Sequence, residues 1–315
     1  MQSLDSAETT RHMPFDALIA ALRELFTAGC EVPLRHTHKI DGGPGDSGTV
    51  LIMPAWQPGK WLGIKTVNIF PGNQAKGLPG LHSTYVLYDA RSGQPLAMLD
   101  GDAITSRRTA AASALAASWL ARADAKRLLV LGAGRVGALL PEAYRAVRGI
   151  EQVEIWNPNR ARGQALVERL RADGFDASLS ADLQASVRRA DIVSCATLSD
   201  RPLVHGDWLR PGTHLDLIGS FAPTMRESDA ACFARSTVFV DTDEALAKSG
   251  DILEAVREGG FTPAALAATL EQLCRGAHPG RRDAAEITLF KSVGSALEDL
   301  AAATLSYEGA QRARG

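Results

Sequence analysis

The stretch RLLVLGAGRVG, Arg127–Gly137, is a short apolar run that feeds directly into Gly132-x-Gly134-x-x-Gly137. The apolar run reads as a buried strand, and the glycines read as a tight turn that opens a helix. Each glycine has its own physical task. The first permits the turn, the second lets the backbone approach a pyrophosphate, and the third allows helix and strand to pack closely. Free N–H groups at the helix start then hold the phosphate charge. Gly132, Gly134, Arg135, Val136 and Gly137 are therefore candidate nucleotide contacts. A GxGxxG alone is a weak signal, but here a strand pattern precedes it and a second β-like run, VEIW (153–156), follows it.

Outward from the glycines, strand and helix patterns alternate from 127 to about 245: a helix to Arg148, VEIW, a helix near 160–171, ADIVSCA (190–196), HLDLIG (214–219) and TVFVD (237–241). Such alternation predicts an α/β fold with a Rossmann-type, doubly wound parallel sheet. Pro141 falls inside the first of these helices and removes a backbone donor, which marks a kink or a late first turn. Upstream, Phe15, Leu18, Ile19, Leu22, Leu25 and Phe26 share one helical face over 14–30, with Gly29 as the stop. The β-like runs Val50–Pro54, Trp61–Phe70 and Thr84–Tyr88, separated by turn-rich 42–48 and 71–80, predict an antiparallel meander. Alanine-rich 105–121 is a helix, and the first domain boundary falls at Asp124–Lys126. The closing pattern over 286–305 reads as one long helix, interrupted at Val293-Gly294, that leaves the nucleotide domain for the N-terminal one. The expected division is 1–122, 123–285 and 286–315.

With 315 residues, 45% of them hydrophobic, the chain can bury a sizeable core. A net charge of −2, from 34 basic and 36 acidic residues, gives no electrostatic footprint for nucleic acid or an anionic membrane, and neither partner is expected. Cys30, Cys195, Cys232 and Cys274 form no CxxC pair, so reduced thiols are expected. The N-terminus has no leader pattern and no run approaches 18 apolar residues, which makes the cytoplasm the expected location.

The end of the second strand bears on which nucleotide binds. An Asp or Glu placed there takes the ribose 2′-hydroxyl of NAD, whereas arginine accommodates the phosphate of NADP. This chain reads Trp156-Asn157-Pro158-Asn159-Arg160, with Arg162 close by and no acid. Positive charge at a helix start is mildly unfavourable against the helix dipole, so a bound anion explains it better than solvent does. Asn157 and Arg160 are candidate phosphate contacts, and the expected cofactor is NADPH, with NADH left open.

Lysine supplies only 7 of the 34 basic residues, yet Lys65 lies inside the apolar run WLGIKTVNIF. A charge in mid-strand must reach solvent, find a partner or act on something. Arg35 and Arg108 border apolar or alanine-rich segments, and three cations from separate elements suit a carboxylate. His82 is a candidate acid or binding residue. His36 and His38 lack partnering acids or cysteines, so no metal is expected. Neither a GxSxG elbow nor HExxH nor GxxxxGK[ST] occurs, which disfavours hydrolase and kinase chemistry.

Taken together, IKTVNIFPGN, LAMLDGDAITSRRTAAASALAA, LLVLGAGRVG, VEIWNPN, HLDLIGSFAPTMRE and LFKSVGSALED resemble the ornithine cyclodeaminase/mu-crystallin family over nearly the whole chain. The resemblance implies a Rossmann domain joined to an α+β domain, built from the N-terminal half and the C-terminal helix, that binds substrate and forms a homodimer. It also implies that Arg35, Lys65 and Arg108 hold an α-carboxylate near the reacting carbon, and that Thr109 and Ser292 approach the cofactor.

One departure is informative. Cyclodeaminases of this family carry a catalytic Asp in a GxDxPxKxE-like segment, and Phe221 occupies that place in Gly219-Ser220-Phe221-Ala222-Pro223. A phenyl ring accepts no proton. Unless Asp216 or Glu227 substitutes, what remains is a carboxylate clamp, a nicotinamide and an apolar wall. Those parts suit hydride delivery to a cyclic ketimine such as Δ1-pyrroline-2-carboxylate or Δ1-piperideine-2-carboxylate, with Lys65 as the group nearest the chemistry. The alternatives are an NAD-recycling ornithine cyclodeaminase, an alanine-dehydrogenase-like enzyme acting on an α-amino acid, and a non-catalytic, crystallin-like NADPH-dependent binding protein.

Overall fold

A computed structural model describes residues 1–43 and 47–314, so the turn expected over 42–48 lies partly outside the described residues. The chain forms two compact units, Met1–Arg108 with Ser295–Gly315, and Thr109–Gly294. The divisions fall inside a helix at Arg108/Thr109 and at Gly294/Ser295, rather than at 122/123 and 285/286.

The first unit runs β1 (Gln2–Leu4), α1 (Ser6–Arg11), α2 (Phe15–Ala28), β2 (His36–Ile40), β3 (Gly48–Trp56), β4 (Trp61–Ile69), β5 (Leu81–Asp89), β6 (Pro95–Asp100) and the start of α3 (Gly101–Leu120). The six apolar positions read on α2 are all buried, and Gly29, at φ +78°, ends the helix by donating to Leu25 O. Strands β2 to β6 form the expected antiparallel meander, and β1 joins β6 in parallel. Strand alternation buries Gly63, Lys65 and Val67 of β4 on one face, alongside Met53, Ala55, Tyr85 and Leu87. Gly63 is required there, because a Cβ would overlap the Tyr85 hydroxyl.

The second unit runs β7 (Arg127–Leu131), α4 (Leu140–Arg145), β8 (Gln152–Trp156), α5 (Arg160–Ala172), β9 (Asp176–Leu179), α6 (Leu183–Arg189) and β10 (Ile192–Cys195). It continues with β11 (Asp200–Val204), β12 (His214–Leu217), β13 (Arg226–Ser228), α7 (Ala230–Ala234), β14 (Thr237–Val240), α8 (Glu244–Lys248), α9 (Gly250–Arg257), β15 (Ala268–Thr269), α10 (Leu270–Cys274) and β16 (Thr288–Lys291). Its main sheet has the order β15-β14-β16-β12-β10-β7-β8-β9 and every pairing is parallel. The chain moves from β7 outward to β8 and β9, then returns to β10 on the other side of β7, which makes the carboxyl end of β7 a topological switch point. Arg148 closes the end of α3 by donating to the carbonyls of Ala117, Ser118, Ala121 and Arg122 at 2.8–3.0 Å.

Two sequence expectations are corrected. The pattern over 286–305 is not one helix, since Thr288–Lys291 forms a strand between β12 and β14, and α11 (Ala296–Arg312) starts only after Gly294 at φ +81°. A short apolar run buried on both faces has no period that separates strand from helix. The helix after the glycines also starts late. Residues 134–139 form turns, and Pro141 sits in the first turn of the short α4, where its missing N–H breaks no ladder. Among the described residues, no helix is long and apolar enough to cross a membrane, and no cluster of His, Cys, Asp or Glu could hold a metal ion.

Candidate active site

In the second unit, the glycine turn closes at the carboxyl end of β7, and Gly132 N donates to Trp156 O at 2.8 Å. Gly132 has φ +109°, and a Cβ there would lie 2.5 Å from Ala196 O. At Gly137 a Cβ would overlap the carbonyl of Gly132, whereas at Gly134 it would meet nothing within 4 Å. Gly132 is thus demanded by the loop after β10 packing on the turn and Gly137 by the turn packing on itself, while the middle glycine, exposed, leaves open space where a ligand can approach the backbone. This shape fits a dinucleotide. Gly137→Ala is expected to weaken nucleotide binding by at least about tenfold, because a backbone carbonyl cannot move as a flexible side chain would. A fluorescence titration with NADH and NADPH checks it, and unchanged affinity would contradict the cradle.

Asn157 braces this turn. Its Oδ1 accepts from Ala133 N at 3.1 Å and one N–H of its Nδ2 donates to Asn159 O at 2.8 Å. Asn159 caps α5 by accepting from Arg162 N. Arg160 is exposed at the first position of α5, with Nη1 3.4 Å from Ser180 O. Arg135 is exposed, Val136 half-buried, and Thr109 and Ser292 buried. Ser292 extends the β16 ladder by donating to Leu217 O. Phe221, half exposed, follows β12 in a tight turn in which its N–H donates to Gly219 O.

The first unit contains the cations. Lys65, 2% exposed on β4, places Nζ 2.6 Å from Asp299 Oδ2 and donates to Thr105 Oγ1 at 3.3 Å. Arg108 donates from Nε to Asp299 Oδ1 at 2.9 Å and from Nη1 to Glu298 Oε2 at 2.6 Å. Asp299, in the first turn of α11, therefore bridges both cations. Sequence reading missed Glu298 and Asp299; the one local signal was an acid pair at a helix start, where acids are common. Burial lowers the Lys65 ammonium to about 8, Arg108 and Arg35 adding to the shift while Asp299 opposes it. For Asp299, burial works to raise the carboxyl, but Lys65 and Arg108 outweigh it and hold it below its usual value. Arg35, half-buried just before β2, is thus near enough for its field to reach Lys65.

His82 is not brought to this cluster. On β5 it pairs with Asn68 while Tyr85 pairs with Lys65, and the odd offset of three positions between them puts His82, exposed, on the opposite face. A one-residue difference in strand parity corrects its expected substrate role.

Neither acid considered as a replacement at position 221 is free. Asp216, buried on β12, accepts from Ser113 at 3.1 Å, Tyr144 at 2.8 Å and Ser194 at 2.5 Å; burial still pushes its carboxyl up to about 6. Glu227, also buried, accepts from Thr197 N, Thr197 Oγ1 and Gly219 N, each at 2.7 Å, and burial raises it to about 7. Both carboxylates are occupied in holding the protein together.

Comparison with known proteins agrees with this architecture. The chain is 39% identical over 303 residues to a Δ1-pyrroline-2-carboxylate reductase of Paracoccus denitrificans, covering 95% of this chain and 94% of the relative. It is 47% identical over 303 residues, 92% of each chain, to an uncharacterized protein of Schizosaccharomyces pombe. Among solved structures, the Δ1-pyrroline-2-carboxylate reductase of Thermococcus litoralis, in complex with NADH and L-proline, superposes with a TM-score of 0.91 at 32% identity, covering 100% of this chain and 98% of that one. The family match itself extends over residues 3–314, and the chain belongs to the ornithine cyclodeaminase/mu-crystallin family.

Proposed function

We propose that the protein is an NAD(P)H-dependent reductase of a cyclic ketimine carboxylate, with Δ1-pyrroline-2-carboxylate or Δ1-piperideine-2-carboxylate as substrate and proline or pipecolate as product. One observation carries this reading over cyclodeamination. By the family resemblance Phe221 stands where the cyclodeaminases hold their acid, and the two alternatives, Asp216 and Glu227, are buried and each accepts three hydrogen bonds from the protein. The relatives named as Δ1-pyrroline-2-carboxylate reductases support the same substrate class.

When bound, the reduced nicotinamide supplies a hydride to the imine carbon. The chain's own part is to bind and orient. Arg108, its guanidinium fixed by Asp299 and Glu298, and Arg35 orient the substrate carboxylate. Lys65, steadied by Asp299 and Thr105, brings a full positive charge and an N–H donor beside it while its ammonium stays protonated, below about pH 8. A ring nitrogen that arrives protonated needs no strong enzyme acid, which agrees with Phe221. Purified protein is expected to oxidise NADPH or NADH with the five- or six-membered cyclic imine, and to release no ammonia from L-ornithine. Absence of turnover with either imine would overturn the assignment.

NADPH is the proposed preference, since no acid ends β8 and Arg160 lies exposed at the start of α5. Arg160→Ala is expected to weaken NADPH about tenfold and leave NADH unchanged, as loss of one charge-assisted contact to the 2′-phosphate requires. Equal losses for both nucleotides would reject that contact. A homodimer is proposed as well, because β2 is an exposed edge strand that ends in exposed Ile40 and is preceded by exposed Val32 and Leu34.

A further inference from the structure

At the carboxyl ends of β10, β12, β14 and β16 lie four buried charged side chains, Glu227, Asp241, Asp251 and Lys291, each at most 1% exposed and none used in the chemistry above. Glu227 is the joint among them. Its Oε1 accepts the N–H and hydroxyl of Thr197, from the loop after β10, and its Oε2 accepts the N–H of Gly219, from the loop after β12, all at 2.7 Å. The fit is close. A Cβ on Gly219 would overlap Thr197 O and come 2.5 Å from Glu227 Oε1. Asp251 fixes the strand that carries this glutamate, accepting from the N–H groups of Glu227 at 2.8 Å and Ser228 at 2.9 Å. Lys291 supplies the positive charge, with Nζ 3.9 Å from Asp251 Oδ2 and donating to Leu217 O at 2.9 Å.

The loop that Glu227 holds abuts the glycine turn. A Cβ on Gly132 would come 2.5 Å from Ala196 O and 3.5 Å from Thr197 Cγ2, so a shift of residues 196–197 presses on the first glycine or withdraws from it. Open parallel sheets bind ligands beyond these strand ends. We propose, building on the nucleotide site assigned above, that Glu227 is a positioning residue for the nicotinamide nucleotide: it clamps the Thr197 and Gly219 loops against the Gly132 turn and thereby sets nucleotide affinity, without touching substrate or reacting atoms. Three donors converge on one carboxylate, and a neutral amide cannot replace it. In Gln, one of the two acceptor positions becomes an NH2 group facing an N–H, which leaves a buried donor unpaired.

The test uses the full chain. Nucleotide dissociation constants are measured by fluorescence for wild type, Glu227→Gln and Thr197→Val, well below each unfolding midpoint, together with the imine KM at saturating nucleotide. Glu227→Gln is expected to weaken nucleotide binding about tenfold and Thr197→Val about threefold, with the imine KM within about twofold of wild type. A purely structural glutamate would lower the midpoint and leave the dissociation constant alone, and that result overturns the proposal. Should Glu227→Gln fail to fold, Thr197→Val decides, and unchanged affinity in it overturns the proposal equally. If wild type binds neither NADH nor NADPH, the nucleotide site itself is wrong and the clamp falls with it.

Discussion

Lys65→Met is expected to lower kcat/KM for the cyclic imine by about 10²–10³-fold while leaving nucleotide affinity unchanged, the scale associated with deleting one preorganised donor at a reacting centre. The methionine preserves length and much of the volume on the buried face of β4, and Arg108 still pairs with Asp299; because a buried ion pair is nonetheless broken, the kinetics are read well below the variant's unfolding midpoint. Below about pH 8 the wild-type ammonium is charged, and above it the charge is lost. Wild-type kcat/KM is therefore expected to fall as pH rises through about 8, and Lys65→Met to lack that limb. Unchanged kinetics in the variant would remove Lys65 from the site.

The second large effect is expected at Asp299. Its two oxygens meet Lys65 and Arg108 at 2.6 and 2.9 Å, all three side chains being almost wholly buried. Asp299→Asn leaves both cations facing a neutral amide. Breaking a buried ion pair by removing one partner costs about 3–5 kcal/mol, which corresponds to a drop on the order of 10 °C in the unfolding transition of the unit that contains it. Removing the carboxylate also removes the main influence that keeps the Lys65 proton on, so the alkaline limb of activity should move to lower pH. Thermal unfolding and a pH–rate profile check both parts. A variant with an unchanged midpoint and an unchanged limb would show that Asp299 does not organise the cations.

These expectations depend on pairings with different visibility in the sequence. The glycine turn was legible because its logic is local, with three small residues at fixed spacing between a strand and a helix. Helix α2 was legible because its six apolar positions repeat with the helical period. Lys65 stood out as a charge in an apolar run, and the structure shows why it is tolerated there. The acids that neutralise the cations were not legible, because Glu298 and Asp299 look like ordinary residues at a helix start. His82 looked like a site residue until strand register placed it on the other face. Strand β16 looked helical because a four-residue segment buried on both sides carries no periodic signature. Glu227 looked like a spare catalytic acid until three donors were seen to occupy it.

The sequence by itself determined that a dinucleotide cradle sits within an alternating strand–helix domain and that no acid ends its second strand, while its resemblance to the family implies that Phe221 occupies the place of the cyclodeaminase acid. The first two are properties of neighbouring residues, and spacing alone specifies them. Only the tertiary structure decided that Lys65 and Arg108 share one carboxylate, that Lys65 titrates near 8, and that Asp216 and Glu227 are committed to holding the protein together. The physical reason is that charge state and availability depend on burial and on partners from distant segments, neither of which leaves a mark on local spacing.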